Sequence, residues 1–146
     1  MSYELEKSIG FKINQTANKL NNKYNQLLQE YDIAPEQRAT LEIIKYEADV
    51  NQTKIANILG KDKTTISRTL NTLEKKGFIT KSQKDKRTNL IEITLKGENI
   101  LNNSSTKVNS FRKNLISKLN DDEVTNLILL LEKVALSVEE KVWKNQ

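Results

Sequence analysis

The chain contains no histidine and no cysteine. Those two absences exclude zinc sites of the usual ligand kind, thiolate nucleophiles, imidazole acid–base catalysis and pH sensing by imidazole. The only sulfur is in Met1, so no thiol is present to act as an oxidant sensor. One proline and four glycines argue for few long loops, and no glycine-rich phosphate loop appears. The carboxylate pairs Asp121–Asp122 and Glu139–Glu140 read as a helix start and a solvated helix end, not as catalytic dyads. The longest uninterrupted apolar run, Leu127–Leu131, is far short of the ~20 residues that cross a bilayer. The opening MSYELEKSIG lacks the basic and apolar regions of a secretory signal. These absences lead us to expect no enzyme, no cofactor, no metal and no membrane partner, and a cytoplasmic location.

What is present is concentrated in residues 51–97, NQTKIANILGKDKTTISRTLNTLEKKGFITKSQKDKRTNLIEITLKG. Asn51 is a good N-cap for TKIANIL, whose Ile55, Ala56, Ile58 and Leu59 make one apolar side. Gly60 suits the residue that ends this helix, and Asp62 or Thr64 can cap the next. Ile66, Leu70 and Leu73 then recur at spacings of four and three, which is one helical face. The opposite face carries Lys63, Thr64, Thr65, Ser67 and Arg68 near the helix start. Lys75, Lys76 and Gly77 close it, since cations suit a helix C-terminus and glycine ends it. Phe78–Lys81 and Leu90–Ile93 have strand character around the polar tip SQKDKRTN. Two short helices, a sharp turn and a hairpin with a basic tip describe a winged helix-turn-helix, which sets one helix into the major groove of DNA. Each part alone has a plainer reading: caps, a solvated loop, a helix pair that never meets DNA. Their conjunction carries the assignment.

Charge agrees. Of 24 basic and 19 acidic residues, this segment holds 11 and 4, a local +7, leaving 13 and 15 for the rest of the chain, a net −2. A basic region of this kind attracts phosphates without reading sequence and makes binding salt-sensitive.

The segment resembles the DNA-binding domain of the MarR family of bacterial transcription regulators. Asp62, Thr65, Ser67 and Arg68 fit that family's recognition-helix pattern. Asp85, Arg87, Ile91, Ile93, Thr94 and Gly97 fill its wing pattern of Asp, one residue, Arg, three residues, two alternating apolar residues, Thr and Gly. Outside residues 35–97 only helix order agrees. The resemblance implies that Thr64, Thr65, Ser67 and Arg68 face the major groove. It implies that Arg87 enters the minor groove while Asp85 braces the hairpin by an ion pair. It sets Lys84 and Lys86 over phosphates, and Gln52 and Thr53 against the DNA backbone. Hydroxyls suit phosphates or base edges, and arginine suits guanine or a narrow minor groove.

The flanks carry packing. Over residues 4–31, Ile9, Ile13, Ala17, Leu20, Tyr24, Leu27 and Tyr31 recur at three or four, predicting one helix of roughly 25 residues with an apolar seam. Pro35 suits the first position of a next helix, with Leu41, Ile43 and Ile44 inward. Residues 98–118 form another, and Asp121 or Asn120 caps a last one. A winged domain of under about 70 residues buries too little surface to cover both termini. We therefore expect a mainly α homodimer, with 35–97 as the winged helix-turn-helix domain, including its small β-hairpin wing, and 1–34 with 98–146 as the helical dimerisation region. The resemblance adds a regulator, more often a repressor than an activator, on double-stranded DNA with a pseudo-palindromic operator, released by a small aromatic or anionic effector. Tyr24, Tyr31, Arg38 and Phe111 are candidate pocket residues, against the plainer reading that the aromatics are core. Two alternatives stay open: an effector-independent regulator of virulence type or an architectural DNA binder, and a protein-interaction module that ignores DNA.

Overall fold

The computed structural model describes residues 3–83, 85 and 89–139. Among the described residues seven α-helices and a two-stranded sheet follow one another as α1 (Tyr3–Lys7), α2 (Ile9–Leu28), α3 (Pro35–Tyr46), α4 (Gln52–Leu59), α5 (Lys63–Lys75), β1 (Ile79–Gln83), β2 (Asn89–Ile93), α6 (Leu95–Leu115) and α7 (Asp121–Glu139), with a 3-10 turn at Gln29–Tyr31. This is the mainly α, winged helix-turn-helix architecture expected. Among the described residues no helix is long and apolar enough to cross a membrane.

The expected single helix over 4–31 is corrected at its start. Ser8 leaves the helical region at ψ 119°, and its hydroxyl accepts the Phe11 N–H at 3.2 Å. The serine caps a new helix instead of continuing the old one. Pro35 takes the first position of α3 as expected, while Gln37 reaches back to accept the Ala34 N–H at 3.1 Å. The helix read over 98–118 begins earlier, at Leu95, because Thr94 accepts the Gly97 N–H at 3.1 Å. Asn120, one of the two caps foreseen for the last helix, accepts the Glu123 N–H at 2.8 Å while Glu123 accepts that of Asn120 at 3.0 Å. That reciprocal pair is a capping box.

The chain divides into two compact units, Met1–Val108 and Asn109–Gln146. In the first, Leu28, Leu41, Ile55, Ile66, Leu73 and Ile79 are fully or almost fully buried, so α2, α3, α4, α5 and the wing root share one core. The expected inward residues Leu41 and Ile44 belong to it, with Ile43 packed against it. In the second unit no residue of α7 is buried.

Candidate DNA-binding face

Two caps and one glycine build the helix-turn-helix. Asn51 accepts the Lys54 N–H at 2.8 Å and starts α4. Gly60 stops it at φ 67°, the left-handed region open to glycine, and the Lys61 N–H then reaches back to the Ala56 carbonyl at 3.0 Å. Asp62 starts α5 by accepting the Thr65 N–H at 2.7 Å. That backbone bond, then the Thr65 hydroxyl and the charges of Arg68 and Lys61, hold the Asp62 carboxyl below its usual range. Gln52 joins the helices: its amide donates to the Lys63 carbonyl at 2.7 Å.

With Ile66, Thr69, Leu70 and Leu73 buried, α5 can turn only its other side outward. Lys63, Thr64 and Arg68 are exposed there, and Thr65 and Ser67 are half-buried beside them. Among the described residues no carboxylate lies within ion-pair distance of Arg68, whose charge reaches Asp62 only at longer range. The sequence pattern missed Asn71, exposed on the same helix. It extends the spacing Thr64, Arg68, Asn71, which was a readable signal. Its side-chain oxygen accepts from Lys81 of β1 at 2.6 Å, and Lys81 lies 3.6 Å from Glu74. The wing is therefore tied to α5.

β1 and β2 run antiparallel, from Ile79 opposite Ile93 to Gln83 opposite Asn89. Asp85, at the tip, is exposed. The other wing residues read from the sequence, Lys84, Lys86 and Arg87, lie outside the described residues. At the root, the Thr94 hydroxyl donates to the Gly77 carbonyl at 2.6 Å while accepting the Gly97 N–H. A Cβ on Gly97 would sit 2.3 Å from the Phe78 carbonyl oxygen and 2.8 Å from Ile93. The Thr-x-x-Gly ending of the wing pattern is thus a tight joint of strand, turn and α6, with no room for a side chain at Gly97.

Between the wing strands and the helix-turn-helix lies an open cleft of about 890 Å³, lined among others by Gln52, Thr53, Ser67, Lys81 and Gln83. It brings together the exposed Thr53, the half-buried Ser67 and the wing. The proposed pocket residues fall elsewhere. Tyr24 and Tyr31 pack against the core of the first unit. Arg38 is buried and donates to Ser104 and the Leu101 carbonyl. Phe111 is a buried residue of the C-terminal unit.

The MarR family pattern matches residues 33–88. The chain is 30% identical to a MarR/EmrR family transcriptional regulator from Acinetobacter sp. ADP1, with a TM-score of 0.81 over 88% of this chain and 92% of that one. It is 28% identical to a mutant MarR from E. coli complexed with operator DNA, with a TM-score of 0.77 over 86% of this chain and 92% of that one. The HTH-type transcriptional regulator YwoH of Bacillus subtilis (strain 168) shares 26% identity over 124 residues, which is 84% of this chain and 90% of its own. Helix order, wing geometry and likeness over nearly the whole length agree: the chain belongs to the MarR family of DNA-binding transcription regulators.

Proposed function

We propose that this protein is a homodimeric repressor that binds a pseudo-palindromic operator. The observation that carries the reading is the two-sidedness of α5, which buries Ile66, Leu70 and Leu73 and leaves Lys63, Thr64 and Arg68 exposed beside the half-buried Thr65 and Ser67. The E. coli relative crystallised with operator DNA supports it. In this reading Arg68 grips a base edge, Thr64, Thr65 and Ser67 meet bases or phosphates, and Lys63 and Thr53 lie along the backbone. Lys84, Lys86 and Arg87, with Asp85 as brace, extend the contact into the minor groove. Gln52 acts through Lys63, whose carbonyl it holds. Residues 35–97 form the DNA-binding part, and 1–34 with 98–146 the dimerisation region.

Dimerisation is supported by α7, whose Leu127–Leu131 stretch is exposed in the single chain. A small aromatic or anionic effector that favours one separation of the two recognition helices would release the operator by shifting a population. Tyr24 and Tyr31, packed against the core of the first unit, remain candidates for its site.

Selection of duplexes from a random pool tests the proposal. The selected sites should carry a dyad with half-site centres about 10–10.5 bp apart. Affinity should fall with salt at a log–log slope of about −5 to −9, for roughly 6–10 phosphate contacts. Sites without a dyad, or a flat salt response, would refute it.

A further inference from the structure

One buried cation is bonded to none of the exposed residues of α5. Arg38 is 4% exposed. A guanidinium carries five donors and no acceptor, and withdrawing it from water is costly unless its partners are well placed. Here Nε donates to Ser104 Oγ at 2.9 Å, Nη2 donates to the Leu101 carbonyl at 3.1 Å, and Nη1 pairs with the Glu42 carboxylate. Ser104 is itself 0% exposed and spends its proton on the Ile100 carbonyl at 2.7 Å, which leaves its oxygen turned to Arg38 as an acceptor. Two of the three partners of Arg38 lie on α6, more than sixty residues along the chain.

The neighbouring residues of α3 grip the opposite side. Glu36 accepts from the buried Thr69 of α5 at 2.9 Å and lies 3.7 Å from Lys61 of the turn. The first turn of α3 is thus fastened to the recognition helix through Glu36 and to α6 through Arg38. Packing alone does not require this. A buried ion pair can often be replaced by apolar residues of similar volume with no loss of stability. What the fork adds is direction, because hydrogen bonds of a planar guanidinium fix an angle that apolar contact leaves free to slide.

We propose that Arg38 is a positioning residue for operator recognition: by clamping Ser104 and Leu101 it fixes the direction in which α6 leaves the winged lobe, and so sets the half-site spacing the protein accepts. The proposal rests on the dimeric reading above. α6 runs unbroken from Leu95 to Leu115, out of the winged lobe and through the region proposed to dimerise, so a loosened α6 lets the recognition helices separate variably.

The test compares a duplex selected by the wild-type protein with the same duplex carrying one extra base pair at its dyad. Wild type, Arg38→Lys and Ser104→Ala are titrated with both, and with random-sequence DNA. Arg38→Lys keeps the charge and loses the fork. Ser104→Ala keeps the charge and the ion pair and removes only the hydroxyl to which Nε donates, and a thermal melt of each variant checks that it is folded before titration. The wild type should reject the insertion strongly. The variants should reject it less, by a factor within the roughly 5–150-fold that couplings of this kind carry, while binding random DNA as before. If Arg38 merely stabilised the fold, both duplexes would weaken by the same factor and the insertion penalty would not change; that result overturns the proposal. A wild-type protein that is monomeric, or indifferent to the insertion, overturns the dimeric reading and the clamp with it.

Discussion

The winged lobe and the last helix are built from the same apolar residues and treat them in opposite ways. In the lobe, Leu41, Ile55, Ile66 and Leu73 are wholly buried, because three short helices and a hairpin root surround them. In α7, Leu127, Ile128, Leu129, Leu130 and Leu131 are 45–56% exposed. Five consecutive residues exceed one helical turn of 3.6, so this stretch is apolar on every side. A helix apolar all round belongs in an interior, and a lone soluble chain rarely leaves a patch of that kind open. The lobe therefore completes its core from its own sequence, whereas α7 carries burial still unrealised. A fully buried Leu or Ile contributes about 1.5–3 kcal/mol, so the incentive for a second surface to cover α7 is large.

The sharpest break of the lobe is at Gly97. A methyl there meets the Phe78 carbonyl at 2.3 Å, and the obstacle is backbone, which moves little. We expect Gly97→Ala to cost at least the ~1–3 kcal/mol typical of overpacking, and Gly97→Val to lose the native wing. Thermal melting with near-ultraviolet circular dichroism checks both.

The complementary break is Leu127→Glu with Leu131→Glu. These residues are exposed in the single chain, so the lobe should melt as before, while light scattering at micromolar concentration reports a monomer and operator affinity collapses. A stable dimer after both substitutions would mean that the covering surface lies elsewhere.

Arg68→Ala sharpens the contrast between reading and folding within one helix. It should cost about 1–3 kcal/mol at one base position of each half-site and leave the melting temperature unchanged. Equal losses on selected and random DNA would make Arg68 a phosphate contact.

The smallest effect is the acid response of the α5 cap. The folded pKa of Asp62 is depressed, chiefly by the Thr65 N–H bond. The cap's contribution is therefore present above the ordinary carboxylate value and is lost as pH falls through the lower, folded one. Asp62→Asn keeps an oxygen acceptor and does not titrate. The stability difference between wild type and this variant should be flat from pH 8 to 5 and shrink below about pH 4. Denaturant midpoints across that range measure it.

Much of this molecule could be read along the chain. Asn51, Gly60 and Asp62 declare the helix-turn-helix because caps and stops act through neighbours three or four residues away, as their bonds to Lys54, Ala56 and Thr65 do. The spacing of Ile66, Leu70 and Leu73 fixed which side of α5 turns outward, and so which residues are free to meet DNA. Ser8 carried a local signal too, but the periodicity of Ile9, Ile13 and Ala17 masked it. Where two parts of the chain must first meet, the sequence was silent. The Thr-x-x-Gly ending named Gly97, but only the approach of Phe78 explains why a side chain is excluded there. Arg38 was legible only as a candidate pocket residue, and its bonds to Ser104 and the Leu101 carbonyl exist only because α6 folds against α3. The sequence by itself determined the elements, their caps and their outward faces, since those depend on contacts within one helical turn. Only the tertiary structure decided which polar groups are consumed by partners more than sixty residues away, because that depends on which helices pack together.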